Sequence, residues 1–282
     1  MLVWLDSPAD ATERLRSVDA AAISVTDAAL TVGLGVFETV KVVHGQPFAL
    51  TRHLRRLIRS AEALGIEAPP GGYFRAGVSA TIAANSEAVG DLGRLRITLT
   101  KGAGDLADPY ANVGGPSVLI TVVAGKPWPP TSRVALSRYR RNEHSALTGV
   151  KSTSYAENAV ALLEARRQGA DEALLLNSVG DVCEGTGSNI VLAVDGVLVT
   201  PDVSSGPLPG ITRELALEWC GISEARIPES SLARATEAFL TSSTRDLHPI
   251  AELGERRLPA PGPLSAAAQA AWMQAAASTV DP

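Results

Sequence analysis

Cysteine is scarce in this sequence, and the common zinc and nucleotide motifs are missing. Only two of the 282 residues are cysteine, Cys183 and Cys220, so disulfide bonds do not organise the fold. Four scattered histidines and the lack of a CxxC pair argue against a structural zinc site. No GxGxxG fingerprint and no Walker lysine motif occurs. These absences argue against a zinc domain, a Rossmann dinucleotide site and a P-loop.

Long apolar runs and an excess of positive charge are also absent. No run approaches the length of a transmembrane span, and Met1–Asp6 lacks the charged start and apolar stretch of a signal peptide. The formal net charge of −5 argues against a surface for nucleic acid or anionic lipid. We therefore expect a cytoplasmic protein that binds neither nucleic acid nor membrane.

Proline divides the chain into two parts. Residues 124–130 contain three prolines within four positions, which excludes both a helix and a central strand. Short strands and helices are predicted on both sides of this linker, which is an α+β pattern. The predicted strands are 37–43, 95–100, 118–123, 133–137, 172–176, 190–194, 197–200 and 238–241, and the predicted helices include 52–64, 72–85 and 264–277. We expect a small N-terminal α/β domain (1–123), a linker (124–130) and a larger β-rich C-terminal domain (131–282).

The segment around Lys151 carries the strongest chemical signal. Ser154 followed by Glu157 is a capping-box pattern, which predicts a helix that ends at Gly169. Lys151 would then lie just ahead of a helix N-terminus, where the macrodipole disfavours a cation. Schiff-base chemistry needs the neutral amine, because only that form attacks an aldehyde. A solvated surface lysine is the alternative interpretation.

Two further segments have the character of ligand sites. Glu184 is predicted at the end of a strand, before the Gly185–Asn189 bend, where it would present a single fixed negative charge. Pro209 and Gly210 form a bend before a predicted helix, whose free N–H groups and the Thr212 hydroxyl would suit a phosphate. An ordinary turn and a capped helix without a ligand are the respective alternatives.

Together the three segments resemble the fold-type IV pyridoxal-phosphate enzymes, the class-IV aminotransferases. Four more motifs of that family match, at residues 24–27, 33–39, 53–57 and 239–244, so the resemblance runs from about Trp4 to Ile250. The family includes branched-chain and D-amino-acid aminotransferases, (R)-amine transaminases and 4-amino-4-deoxychorismate lyase. The resemblance implies a two-domain fold with pyridoxal 5'-phosphate in the interdomain cleft, and a homodimer.

The resemblance also implies a role for each matching residue. Lys151 would bind the cofactor as a Schiff base and act as general base and acid at the substrate carbon. Glu184 would bond the protonated pyridine nitrogen and keep the ring an electron sink. The other implied cofactor contacts are Arg56, Ile211, Thr212 and Ser243 at the phosphate, Leu208 at the ring face, and Tyr155 with Asn158 near the phenolic oxygen. The sequence pattern alone does not choose among Arg52, Arg55, Arg56 and Arg59.

The substrate is less well marked. Residues 37–39 and the loop 99–104 resemble the aminodeoxychorismate lyases, which release pyruvate and form 4-aminobenzoate for folate synthesis. We therefore expect that lyase reaction, with Thr39 at the cleft end of its strand as proton donor or substrate contact. An equally weighted interpretation of Thr39 is a β-branched residue that suits a strand.

Two other functions stay open at this point. A branched-chain or D-amino-acid aminotransferase would need a side chain that binds the substrate carboxylate. The candidates are Lys101, Thr244, Arg96 and Arg138. A non-catalytic binding protein on the same fold is the third possibility, although such a protein has no need of Lys151, Glu184, Thr212 and Arg56 together.

Overall fold

Residues 1–8, 13–111 and 114–282 are described by the computed structural model, and the chain divides into two units. Unit 1 comprises Met1–Lys126, Val150–Tyr155 and Val280–Pro282. Unit 2 comprises Pro127–Gly149 and Ala156–Thr279. The units differ from the predicted domains in one segment that bears on the site. Val150–Tyr155 belongs to unit 1 because its backbone pairs with a strand of that unit.

Unit 1 combines one antiparallel sheet with helices. Its strands are β1 (Leu2–Asp6), β2 (Leu15–Ser17), β3 (Gly35–Val43), β4 (Gln46–Pro47), β5 (Leu92–Thr100) and β6 (Ser117–Ala124), and its helices are α1 (Ala28–Thr31), α2 (Leu50–Ala63), α3 (Gly71–Ala84) and α4 (Ser86–Val89). The sheet order is β2-β1-β6-β5-β3-β4. All pairs along it are antiparallel.

The core of unit 1 lies between this sheet and the longer helices. Alternate residues of β3, such as Val36 and Val40, are fully buried against apolar residues of α2, such as Leu54 and Leu57. Glu38 occupies the same alternating set, so a carboxylate is placed within an apolar layer and requires polar partners there.

Unit 2 contains a larger mixed sheet. Its strands are β7 (Ser132–Arg141), β8 (Glu172–Asn177), β9 (Val182–Gly185), β10 (Asn189–Val194), β11 (Val197–Pro201), β12 (Ser223–Ala225), β13 (Glu237–Ser242), β14 (Asp246–Leu253) and β15 (Arg256–Arg257), and its helices are α5 (Ala156–Arg167), α6 (Ile211–Trp219) and α7 (Pro263–Ser278). The sheet order is β12-β11-β10-β13-β14-β7-β8-β9, and β15 pairs with β14. The β7–β8, β7–β14 and β11–β12 pairs are parallel.

Buried strands form the centre of unit 2. All six residues of β8 and all six of β10 are buried, which matches the apolar runs 173–176 and 190–194 within them. Each predicted strand and helix named by range above is present, usually one to four residues longer. The predicted start of α5 is wrong, because the helix begins at Ala156 and the Ser154 hydroxyl donates instead to the Gly33 carbonyl oxygen.

Candidate active site

Lys151 is held by backbone pairing with β3. The Phe37 amide donates to the Lys151 carbonyl oxygen at 2.9 Å, and the Thr153 amide donates to the Gly35 carbonyl oxygen at 2.8 Å. On the α2 side, the Lys151 amide is 3.4 Å from the Ser60 hydroxyl. Lys151 thus lies five residues before α5, one more than the predicted cap at Ser154 implies, and it lies in a strand-like segment. Its backbone is fixed by a sheet.

An aromatic and cationic cluster surrounds the Lys151 side chain. The Lys151 ammonium is 4.4 Å from the centre of the Phe37 ring and 6.0 Å from that of Tyr155. The Phe37 and Tyr155 rings meet edge to face at 5.5 Å. The guanidinium of Arg96, an exposed residue of β5, lies 3.8 Å from the Phe37 ring centre. We call Phe37, Arg96, Lys151 and Tyr155 the Phe37 cluster.

Thr39 lies on the same strand as Phe37 but not at its end. It is the fifth of the nine residues of β3, so the predicted position at the strand terminus is wrong. Thr39 is half-buried and stands directly across from Arg96 in the β3–β5 register. Its place therefore groups it with the Phe37 cluster, whereas its proposed chemical role stays a prediction.

Arg56 is the buried arginine of α2. Its Nε donates to Glu38 Oε1 at 2.7 Å and its Nη2 to Glu38 Oε2 at 2.7 Å, while His53 Nδ1 lies 2.6 Å from Oε2. Arg55 and Arg59 are exposed, so burial distinguishes Arg56 where the sequence pattern does not. The two-point contact fixes the plane of the guanidinium.

Opposing effects set the pKa values of this buried group. Burial alone raises the pKa of Glu38, but the charges of Arg56 and His53 and their hydrogen bonds outweigh it and lower the pKa to about 2. Burial lowers the pKa of His53, against the attraction of Glu38. Glu38 is therefore an ionised carboxylate inside the apolar layer of unit 1.

In unit 2, a hydrogen bond and an ion pair hold Glu184 near the end of β9. Its Oε2 accepts a hydrogen bond from the Leu208 amide at 2.9 Å, and its Oε1 is 3.2 Å from Arg141 Nε in an ion pair. Asn158, at the start of α5, accepts from Arg141 Nη2 at 3.2 Å and donates to the Thr186 carbonyl oxygen at 2.7 Å. Glu184, Leu208 and Asn158, three predicted site residues, are thus connected through Arg141 and the bend after β9.

The N-terminus of α6 has no side-chain cap. Gly210 is the N-cap residue and contributes no side-chain acceptor, and the first backbone bond runs from Glu214 N to Gly210 O. The first N–H groups of a helix have no acceptor within the helix, which leaves those of Ile211 and Thr212 directed beyond its end. Both residues are buried.

The remaining predicted residues lie in turns and loops. Ser243 and Thr244 are half-buried in the turn between β13 and β14. Lys101 donates to the Gly65 carbonyl oxygen at 3.1 Å and lies 5.8 Å from the centre of the Tyr110 ring. Arg138 forms an ion pair with Glu164 at 3.1 Å.

The sequence motifs do not mark the partners of the predicted residues. Glu38 falls within the motif at residues 33–39 without being distinguished there, and Arg141 falls within none of the motifs. An acidic residue at a core-facing position of β3 was an available signal for Glu38, since a buried carboxylate requires a cationic partner. No comparable signal existed for Arg141, because its contact with Glu184 depends on how β7 and β9 are arranged.

The described residues contain neither a cluster suited to a metal ion nor a helix suited to a membrane. Among residues 1–8, 13–111 and 114–282, no group of three or more His, Cys, Asp and Glu side chains is placed to hold a metal ion. None of the helices in that part of the chain has the length and apolar character needed to cross a membrane. Cys183 and Cys220 are free and buried, and burial raises the pKa of both thiols.

Comparisons with known proteins identify the family of this chain. The family model for amino-transferase class IV matches residues 35–253. A putative branched-chain-amino-acid aminotransferase of Methanocaldococcus jannaschii is 32% identical over 249 residues, which cover 84% of each chain. An aminodeoxychorismate lyase of Bacillus subtilis is 27% identical over 83% of each chain.

A solved structure extends the likeness to the whole fold. The fold IV-transaminase CpuTA1 of Curtobacterium pusillum superposes with a TM-score of 0.83 and 31% sequence identity, over 95% of this chain and 97% of that chain. The predicted fold class and the predicted cofactor are both confirmed. This protein therefore belongs to the class-IV aminotransferases, enzymes of fold-type IV that use pyridoxal 5'-phosphate.

Proposed function

We propose that this protein is an aminotransferase that moves the amino group between small amino acids and 2-oxo acids. The observation that carries the proposal is the Phe37 cluster. It holds the Lys151 ammonium and an exposed Arg96 guanidinium within 4.4 Å of the same ring centre. An α-amino acid carries its amino group and its carboxylate on the same carbon. A substrate whose amino group takes the place of the Lys151 amine on the cofactor would therefore bring its carboxylate close to the Arg96 guanidinium.

The side chains described above fit pyridoxal 5'-phosphate. Glu184 supplies a carboxylate for a protonated ring nitrogen, and Leu208 N and Arg141 hold that carboxylate in place. The uncapped start of α6 supplies N–H donors for a phosphate. The hydroxyl of Thr241 adds a buried oxygen with no hydrogen-bond partner in the described residues, opposite Asn189 in the β10–β13 register.

In this proposal each residue has a separate task. Once bound, pyridoxal phosphate supplies an electron sink for the carbon that loses a proton. Lys151 would hold the cofactor covalently and then carry the proton at the substrate carbon. Glu184 would keep the ring nitrogen protonated. Arg56, Ile211, Thr212 and Ser243 would bind the phosphate, and Arg56 would do so from the orientation that Glu38 fixes.

Arg96 is the best-placed candidate for the substrate carboxylate. A guanidinium binds a carboxylate with two parallel hydrogen bonds, and stacking on Phe37 together with the bond from Nε to the Thr98 hydroxyl at 3.2 Å orients it. Arg138 is engaged with Glu164, and Lys101 donates to the Gly65 carbonyl oxygen. The relative from M. jannaschii adds support for a branched-chain substrate.

One experiment separates transfer from other reactions of the family. The loaded protein is given a single amino acid, L or D, without an oxo acid. A transaminase stops after half a cycle, with its cofactor aminated and the visible absorbance lost, and addition of a 2-oxo acid restores it. Lys151→Ala is the control, because it should show neither the covalent absorbance nor the bleaching. Persistent absorbance with every amino acid tested would contradict the proposal.

The lyase is the second candidate function. The relative from B. subtilis supports it. Thr39 supports it as well, because this half-buried residue is paired with Arg96 in the register of β3 and β5. A lyase returns its cofactor unchanged after each turnover, so its absorbance would persist without an oxo acid. Release of pyruvate and 4-aminobenzoate from aminodeoxychorismate, with no bleaching by amino acids, would decide for the lyase.

We also infer that the protein is a homodimer. Val25, Leu30 and Val32 of unit 1 expose 80%, 65% and 55% of their surface, an apolar group that a second copy would cover. Sedimentation velocity should give a dimer mass that Val25→Ser with Leu30→Ser lowers. A monomer at all concentrations would contradict this inference.

A further inference from the structure

Glu172 is a buried carboxylate that no catalytic role explains. It is the first residue of β8, and its side chain is only 2% exposed. Oε1 accepts from the Thr186 amide at 3.0 Å and from the Thr186 hydroxyl, and Oε2 accepts from the Ser188 hydroxyl at 3.1 Å. Arg245 Nη1 lies 3.2 Å from Oε2 in an ion pair. Taking such a group out of water costs several kcal/mol unless it is paired in this way, so its retention calls for a reason.

The partners of Glu172 come from two segments that are distant in sequence. Thr186 and Ser188 form the bend after β9, and that strand carries Glu184. Arg245 belongs to the turn between β13 and β14, which also carries Ser243. One carboxylate therefore joins the segment that presents Glu184 to the segment that presents Ser243.

The bend is held from its other side as well. The Thr186 carbonyl oxygen accepts from Asn158, which accepts from Arg141, and Arg141 pairs with Glu184. Gly185 permits this close packing, because a Cβ there would collide with the Ser188 hydroxyl and press on Glu172 Cγ. Asn158 and Glu172 therefore hold the bend from two positions, and loss of the Glu172 carboxylate would leave only the Asn158 contact of the two.

We propose that Glu172 is a positioning residue, which couples the orientation of the Glu184 carboxylate to the position of the Ser243 turn. The inference rests on the proposed function, in which Glu184 meets the ring nitrogen and Ser243 meets the phosphate. Glu172 would act on both through the bend and the turn. Its loss should disturb both ends of the bound cofactor together, although each end is held by different residues.

The test compares Glu172→Gln with Asp181→Asn. Asp181 is a matched control, because it is a buried carboxylate of unit 2 whose ion-pair partner, Arg226, lies outside the bend and the turn. Two measurements are made on cofactor added to the purified proteins. The first is the affinity for pyridoxal phosphate relative to pyridoxal, which reports the phosphate contacts. The second is the visible circular dichroism of the bound cofactor, which reports the orientation of its ring.

Glu172→Gln should lower the preference for the phosphorylated cofactor by about tenfold, the loss expected for one charge-assisted contact, and should change the circular dichroism. Asp181→Asn should lower thermal stability and change neither measurement. If Glu172→Gln behaves like Asp181→Asn, the inference is wrong.

Two smaller changes cover the case in which Glu172→Gln does not fold. Thr186→Val removes one donor to Glu172, and Thr186→Ser retains it. The valine variant should show the same two changes in cofactor binding as Glu172→Gln. The serine variant should behave like the wild type in both measurements. Equal behaviour of these two variants would overturn the inference. A wild-type protein that binds no pyridoxal phosphate would instead refute the proposed function, so the two failures are distinguishable.

Discussion

At the scale of single residues, the surroundings of each charged side chain decide its use. Four arginines lie within eight positions of α2, and only Arg56 is buried and bound at two points by a carboxylate. Arg96 and Arg94 both project from β5, and Arg96 lies over Phe37 beside Lys151. Arg55 is therefore a matched control for Arg56, and Arg94 is one for Arg96.

Arg96→Gln should raise the amino-acid KM on the order of tenfold or more, because a hydrogen bond to a charged group contributes about 1.5–3 kcal/mol. Cofactor affinity should not change. Arg94→Gln is the control, since Arg94 is exposed on the same strand. Steady-state kinetics with a branched-chain amino acid provides the measurement. An equal effect of the two substitutions would remove Arg96 from the carboxylate site.

Arg56→Lys should weaken binding of pyridoxal phosphate roughly tenfold while leaving pyridoxal affinity unchanged. A lysine keeps the positive charge but cannot keep the two-point contact with Glu38 that fixes the guanidinium. Arg55→Lys serves as the control, because Arg55 is exposed. Equilibrium dialysis measures both affinities. A parallel loss for pyridoxal would mean that Arg56 acts on the fold and not on the phosphate.

At the scale of elements, the bends between strands and helices carry the polar groups of the site. The bend after β9 and the segment before α6 are linked, because the side-chain Nδ2 of Asn189 donates to the Leu208 carbonyl oxygen at 2.8 Å. Gly210 lies against Asn189, and a Cβ there would collide with the Asn189 Oδ1. The N–H groups at the start of α6 therefore depend on a glycine at this position.

Gly210→Ala should weaken pyridoxal-phosphate binding on the order of tenfold, as Asn189 or the helix terminus shifts. Gly72→Ala in α3 is the control, since a Cβ at Gly72 would meet no atom within 4 Å. That control should be neutral or stabilising by about 0.5–1 kcal/mol. Fluorescence titration with the cofactor gives the affinities. Wild-type affinity of Gly210→Ala would show that the close packing here is not needed for binding.

At the scale of the whole molecule, the charged cluster in unit 1 predicts sensitivity to acid. Glu38 has a folded pKa of about 2, below its ordinary value of 4.5. The contacts that lower this pKa stabilise the folded state fully above about pH 4.5, and the stabilisation is lost as the pH falls towards 2. They contribute about 3 kcal/mol to the free energy of unfolding. The lowered pKa of His53 acts in the same direction, because the unfolded chain takes up that proton more readily.

Urea denaturation from pH 7 to pH 3 tests this expectation. Glu38→Gln should be less stable than wild type by roughly 3–5 kcal/mol at pH 7, because Arg56 is left buried without its partner. The difference should shrink as the pH falls. Glu67→Gln, a change at an exposed carboxylate of the same unit, should follow the wild-type curve. A constant difference between Glu38→Gln and wild type would show that Glu38 is not ionised in the folded protein.

The sequence by itself determined the pattern of elements and the family. Alternating and continuous apolar runs predicted the strands, and the prolines after β6 predicted the break, because these signals act between near neighbours in the chain. Local motifs likewise marked Lys151, Glu184 and Thr212 as candidates. The local capping pattern at Ser154 failed, because pairing of residues 151–153 with β3 and the bond from the Ser154 hydroxyl to Gly33 hold this segment outside the helix.

Only the tertiary structure decided which charges meet. Glu38 with Arg56, Arg141 with Glu184, and Glu172 with Arg245 are 18, 43 and 73 positions apart, so no local spacing relates them. The folded sheets bring each pair within 3.2 Å, where removal from water makes an unpaired charge costly. The sequence therefore determined the residue types that the chemistry requires, and the fold determined their partners, because burial and pairing depend on contacts between distant segments.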